Sequence, residues 1–254
     1  MLSWDFVCPA PRVLRRVTSA SRRDSLVAEP GRELCDHLRE HHAPGLECGD
    51  DAEGFGRVPV WGFARVEASN HPGVAVGQRY YGYWPMSTHL TVTPKVGKAG
   101  FADVAPHRQH LAAVYNQYMA VGDESPLEAH TALLQPLFIT SFLIDDQLDE
   151  AGFHGAKSVI LSSASSKTAI ALAALLKQRG GVKVVGLTSP RNKAFVEGLG
   201  FYDQVVLYGD LPTAPIAGPA VFVDFAGDSA VLAAVHNRFA DDLKASILVG
   251  GTHW

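Results

Sequence analysis

The chain has 254 residues, 47% apolar and 19% charged, enough to bury a sizeable core and too apolar for a disordered, collagenous or coiled-coil protein. Lys and Arg number 22 against 26 Asp and Glu, a net charge of -4. That balance excludes a nucleic-acid binder held by bulk charge, and no apolar run approaches the roughly 20 residues that cross a bilayer. Cys8, Cys35 and Cys48 show neither metal spacing nor an even-numbered disulfide framework, so a reducing, cytoplasmic compartment is the expectation.

Residues 1–53 form an irregular N-terminal segment. Arg12, Arg15, Arg16, Arg22 and Arg23 are interleaved with Ser and Thr there, faintly like a transit peptide. Asp5, Asp24 and Glu29 count against that reading, as does the lack of a clean amphipathic face. From residue 54 to 125 the texture is β-rich. Residues 58–67, 78–83 and 87–93 read as strands, with turns at Gly73 and Gly77. Residues 127–148 then carry Leu133, Leu134, Leu137, Ile144 and Leu148 at helical spacing, with Pro136 as a break or kink.

From residue 126 to 254 the fold class is α/β. Short apolar strands at 158–161, 182–187, 204–207, 221–225 and 246–249 alternate with helices at 168–178, 191–199 and 228–239. This alternation predicts right-handed crossovers and a doubly wound parallel sheet buried on both faces.

In such a sheet, ligands sit beyond the carboxyl ends of the strands. The first loop there runs Ser162, Ser163, Ala164, Ser165, Ser166, Lys167, Thr168, all small residues and hydroxyls with one cation, directly before a helix. A helix start offers unpaired N–H groups and partial positive charge, so the loop reads as a phosphate site. The bland alternative is a cluster of N-cap residues that bind nothing; several serines plus Lys-Thr exceed what capping needs. Ser163, Ser166 and Ala169 stand where a dinucleotide loop keeps glycines. The second strand ends in Thr188, Ser189, Pro190, Arg191, Asn192 and Lys193. An NAD binder usually carries an acid there, whereas hydroxyls and two cations suit a 2′-phosphate. NADPH is therefore expected over NADH. A rival reading takes residues 161–168 as the phosphate loop of a nucleoside triphosphatase, with Asp224 holding Mg²⁺, but both of that loop's glycines are absent.

Taken together, several segments resemble the medium-chain dehydrogenase/reductase superfamily, on its quinone-oxidoreductase-like side, and within it an uncharacterised family named only as a domain of unknown function. The matching segments are residues 56–64, 81–90, 114–118, 136–146, 161–170, 185–200, 222–224 and 249–254, which together span most of 54–254. The resemblance implies a chaperonin-10-like, β-rich catalytic domain followed by a Rossmann domain, with substrate in the cleft between them. It places Ser163, Ser166 and Lys167 at the pyrophosphate, with Ser165 and Thr168 in the same loop. Thr188, Ser189, Arg191 and Lys193 fall at the adenosine phosphate, and Gly250 and Gly251 approach the nicotinamide. The Cys and His-Glu ligands of zinc-dependent members are missing, so no metal is expected. The family's first strands and its C-terminal return to the catalytic domain are not recognisable, which leaves the β-rich domain incomplete.

Hydride chemistry also needs a proton or hydrogen bond at the reacting carbonyl. Tyr115 and Tyr118 are the candidates; three residues apart, they share a face if helical. Asp145-Asp146 reads as a solvated helix face rather than an acid–base couple, and no G-x-S-x-G elbow exists. The expected function is an NADPH-dependent oxidoreductase acting on a small-molecule substrate, with no nucleic-acid or membrane partner; the alternative is a catalytically silent nucleotide-binding or interaction module of the same fold.

Overall fold

The computed structural model describes the backbone of residues 12–14 and, in full, residues 59–85 and 89–250. The expectations for Gly251, for the three cysteines and for the rest of the N-terminal segment lie outside those residues. The chain divides into two compact units, residues 1–133 and 134–254.

The first unit is a six-stranded sheet built from β1 (Arg12–Leu14), β2 (Pro59–Val66), β3 (Arg79–Pro85), β4 (Pro94–Val96), β5 (Gly100–Asp103) and β6 (Gln117–Val121), in the order β1-β2-β3-β6-β5-β4. All pairings are antiparallel except β1 with β2. The period-2 alternation of β2 and β3 sends Ala64, Val66, Tyr80 and Trp84 to one face, where they pack with Phe101 and Tyr118. The Trp84 indole N–H donates to Gly62 O at 2.9 Å. Gly82 is required there, because a Cβ would lie 2.3 Å from the Tyr118 ring. Of the strand expected over 87–93, residues 89–93 are coil and pairing begins at Pro94, while residues 87 and 88 lie outside the described residues. Short strands interrupted by Gly97 and Gly100 carry too little alternation to be read from sequence.

Helix α1 (Ala113–Asn116) ends where β6 begins. That corrects the expectation that Tyr115 and Tyr118 share a helical face. Gln117 turns extended (φ -93, ψ 133), so Tyr118 lies in the strand and points into the core. Helix α2 (Glu128–Glu150) runs unbroken through Pro136. It buries Ile144 and Leu148, whereas Leu133 and Leu134 are exposed.

The second unit is a five-stranded, all-parallel sheet: β7 (Ser158–Leu161), β8 (Lys183–Thr188), β9 (Gln204–Leu207), β10 (Ala220–Asp224) and β11 (Leu243–Leu248). Its order, β11-β10-β7-β8-β9, is the 3-2-1-4-5 arrangement of a Rossmann sheet counted from β7. Helices α3 (Lys167–Arg179), α4 (Lys193–Gly198) and α5 (Ser229–Phe239) connect the strands. One face packs Val159, Leu161, Val221 and Val223 against Leu172 and Leu176 of α3 and Leu148 of α2. The other packs Ile160, Val185 and Phe222 against Val235 and Phe239 of α5. Burial on both faces explains why β7 and β10 are continuous apolar runs. Asp145 is not solvated, contrary to expectation. It is 3% exposed and accepts two hydrogen bonds from Arg179, at 2.5 and 3.2 Å, tying α2 to α3.

Candidate functional site

The carboxyl ends of β7, β8, β10 and β11 gather the expected phosphate-site residues that are described. The loop after β7 is fixed by its own backbone. Ser162 N–H donates to Val223 O at 3.1 Å, Ala164 N–H to Leu187 O at 3.0 Å, and Ser166 N–H to Ser163 O at 2.8 Å. Ser163 N–H donates to the Tyr208 hydroxyl at 2.8 Å, and the Tyr202 hydroxyl donates to Ala164 O at 2.8 Å. Ser166 caps α3, accepting from Ala169 N–H at 3.4 Å. Among the described residues, the amides of Ser165, Lys167 and Thr168 have no acceptor. They stand at the start of a 13-residue helix, where partial positive charge collects. The exposed Lys167 side chain adds a full charge.

Gly186 lets β8 approach this loop: a Cβ there would lie 2.7 Å from the Tyr202 ring and 2.9 Å from Ala164 Cβ. Ser163 sits at φ 47, in the left-handed region where glycine is the easy choice. After β8, Thr188 is 1% exposed, Ser189 and Lys193 are half-buried, and Arg191 is exposed. Asn192 Nδ2 donates to Ser165 Oγ at 3.0 Å, joining the two loops. Lys193 lies 3.8 Å from Glu197.

At the switch point between β7 and β10, Ser162 Oγ donates to Asp224 Oδ1 at 2.6 Å and accepts from the amides of Phe225 and Ala226 at 2.8 and 3.0 Å. Asp224 Oδ1 also accepts from the amides of Ala226 and Gly227. Asp224 Oδ1 is thus engaged, whereas Oδ2 has no partner among the described residues; what speaks against the nucleoside-triphosphatase reading is that the amides of residues 162–164 are used locally and both of that loop's glycines are absent. Gly250 N–H donates to Asp224 O at 3.4 Å, which holds the end of β11 against β10.

Sequence reasoning missed Tyr202, Tyr208 and Asn192. Burial pushes the Tyr202 phenol up, and Tyr208 is likewise raised, by burial first, then by the nearby carboxylates of Asp224 and Asp228, against the lowering effect of the Ser163 amide. Both therefore serve as neutral hydroxyls. Their partners lie 38 and 45 residues away, so no local spacing announces them.

Of the two candidate proton donors, Tyr118 is 1% exposed and its hydroxyl donates to Tyr83 O at 3.1 Å. Tyr115 is half-buried, its ring 5.0 Å from Tyr83. Among the described residues no cluster of His, Cys, Asp or Glu could hold a metal ion, and no helix is long and apolar enough to cross a membrane.

The family described as "Protein of unknown function (DUF2855)" matches residues 40–254. No curated protein matches the chain. Among solved structures, Escherichia coli K-12 YhdH with bound NADPH is similar at 20% identity and a TM-score of 0.47, over 80% of this chain and 59% of that one. The yhdH oxidoreductase from Salmonella enterica in complex with NADP is similar at 17% identity and 0.46, over 85% and 69%. D-arabinose dehydrogenase from Sulfolobus solfataricus is similar at 18% identity and 0.46, over 77% and 62%. The chain thus spans about three fifths of the length of the E. coli protein.

Proposed function

Since the chain belongs to the DUF2855 family, whose description assigns no activity, we propose that it is an NADPH-dependent oxidoreductase that reduces a carbonyl or an activated double bond of a small molecule. One observation carries this reading. At the switch point of a 3-2-1-4-5 parallel sheet, the amides of Ser165, Lys167 and Thr168 have no acceptor among the described residues, inside a loop whose amides at 162, 163, 164 and 166 are held by hydrogen bonds. Three parallel donors at a helix start suit a pyrophosphate. The hydroxyls of Ser163, Ser165 and Ser166 extend that donor set, and Lys167 neutralises its charge. The end of β8 lacks an acid and offers Ser189, exposed Arg191 and Lys193 to a 2′-phosphate. Thr188, buried at the end of β8, leads into that loop. Gly250 and Gly251 would border the nicotinamide.

Bound NADPH supplies the hydride; the protein's part is to hold it, orient the substrate and deliver a proton. Tyr115 is the proposed donor, because the hydroxyl of Tyr118 already has an acceptor. The test is a fluorescence titration with NADPH, NADH and MgATP. NADPH should bind at least tenfold more tightly than NADH, and Arg191→Ala should erase most of that preference, since one charge-assisted contact is worth about 1.5–3 kcal/mol. Equal affinities in the unaltered protein, or stabilisation by MgATP alone, would overturn the reading. NADPH oxidation across quinones and enones then separates an enzyme from a silent binding module, which binds without turnover.

A further inference from the structure

The first unit carries a layer of aromatic rings that its core does not use. In the β2–β3 ladder, Trp61 stands opposite Tyr83 and Phe63 opposite Tyr81. Alternation puts these four on the face opposite Ala64, Val66, Tyr80 and Trp84, outside the cluster those residues form, although Tyr81 is itself buried. Trp61 stacks on Tyr81 at 5.7 Å with an interplanar angle of 18°, and lies 5.1 Å from Tyr83. Phe63 lies 5.1 Å from Tyr81. Tyr115 of α1 joins the layer, 5.0 Å from Tyr83 and 6.3 Å from Trp61. All but Tyr81 remain half-buried.

Two further observations point to a ligand for this layer. Tyr81 is 3% exposed, yet its hydroxyl has no hydrogen-bond partner among the described residues. A buried donor left unsatisfied costs folding free energy, and such groups are rare in native proteins. The second observation is a buried ion pair spent on placing Tyr115. Arg108, 1% exposed, lies 3.6 Å from Asp103. It donates from Nη2 to Tyr115 O at 2.7 Å and from Nε to Asn116 Oδ1 at 3.0 Å, while Asn116 Nδ2 donates back to Arg108 O at 2.9 Å. Burying such a pair seldom stabilises a fold in itself; here it clamps the backbone that presents one ring of the layer.

We propose that this layer is a binding site for a flat aromatic ketone. The ring system stacks on the half-buried faces of Trp61, Tyr83 and Tyr115, which favour offset π contacts, and the carbonyl oxygen accepts the Tyr81 hydroxyl, for which no described residue supplies an acceptor. Burial raises the Tyr81 phenol, so it stays protonated and can donate. Tyr81 is 3% exposed, so a ring of the layer must give way when the ketone binds. The inference deepens the reductase reading by naming its substrate class, and rests on that reading only for the fate of the carbonyl.

The experiment uses the full chain without cofactor and ligand-observed NMR with 2-acetylnaphthalene. Naphthalene is the control without a carbonyl, and methyl cyclohexyl ketone the control without a flat ring. Tyr81→Phe removes a hydroxyl that has no partner among the described residues, so its melting temperature should match or exceed that of the unaltered protein. It should weaken 2-acetylnaphthalene about fivefold to tenfold, the worth of one hydrogen bond, and leave naphthalene unchanged. The saturated ketone should bind far more weakly than either flat probe. Equal affinity of both proteins for 2-acetylnaphthalene, or no saturable binding, would overturn the proposal. Titration of the same samples with NADPH keeps the two readings apart. If NADPH fails to bind while Tyr81→Phe still discriminates the ketone, the cofactor reading falls and this one stands.

Discussion

Tyr208 follows the edge strand β9 and reaches past the end of β8 to accept the Ser163 amide at 2.8 Å. It does so at the one residue of the loop in the left-handed region, φ 47, a conformation costing a non-glycine residue roughly 1–2 kcal/mol. The tyrosine thus helps to hold a turn that glycine would adopt freely. Removing its oxygen in Tyr208→Phe leaves the Ser163 amide without a partner. Stability in urea should fall by about 1–2 kcal/mol, and NADPH affinity should fall several-fold. Ser163→Gly should act oppositely on stability, gaining up to about 1 kcal/mol from relief of strain. If both variants unfold at the same urea concentration as the unaltered protein, the strained serine is not held in this way. None of this was legible in the sequence. The serines and Lys167 announced a polar helix start, but the bond that shapes the loop spans 45 residues.

Elements were legible where burial is two-sided and periodicity long. Each strand of the parallel sheet and helices α2, α3 and α5 fell within a few residues of their expected bounds, because β7 and β10 can only be continuous apolar runs between buried layers. The failures are β4, β5 and β6, and β1 within the segment read as irregular. There the strands are short, and Tyr115 and Tyr118, three apart as on a helix, belong to different elements. Side-chain pairing between elements was equally hidden. Asp203, just before β9, accepts from Lys177 of α3 at 2.7 Å and from the Val184 amide of β8 at 2.9 Å, with Lys183 at 3.9 Å. Burial alone raises its carboxyl, but these hydrogen bonds and lysine charges outweigh burial and hold it below the usual range. A depressed folded value means the contribution is present above the unfolded value, about 3.9, and is lost as pH falls through the folded one. Asp203→Asn should therefore cost several tenths to about 1 kcal/mol at pH 7, the modest worth of a partly exposed pair. The difference between the two proteins should close as the pH is lowered past about 4. A cost that persists undiminished at pH 2.5 would show that the Val184 amide, not the ionised carboxylate, matters.

At the scale of the molecule, the proposed contacts divide by unit. The loops at 162–168 and 188–193 belong to residues 134–254, whereas the aromatic layer belongs to residues 1–133. A ligand stabilises whatever folded element it touches by mass action, about 2.7 kcal/mol when present at a hundred times its dissociation constant. Amide exchange reads that stabilisation locally, because each amide reports the opening that exposes it. NADPH should therefore slow exchange in residues 158–193 and at the end of β10, and 2-acetylnaphthalene should slow it in β2 and β3. If the units melt in separate steps, each ligand should move only the transition of its own unit. The decisive amides are those of Ser165, Lys167 and Thr168, which have no acceptor among the described residues and would gain one from a ligand. Protection by NADPH that appears in β2 and β3 and leaves these three amides exchanging as before would place the coenzyme elsewhere and remove the basis of the cofactor assignment.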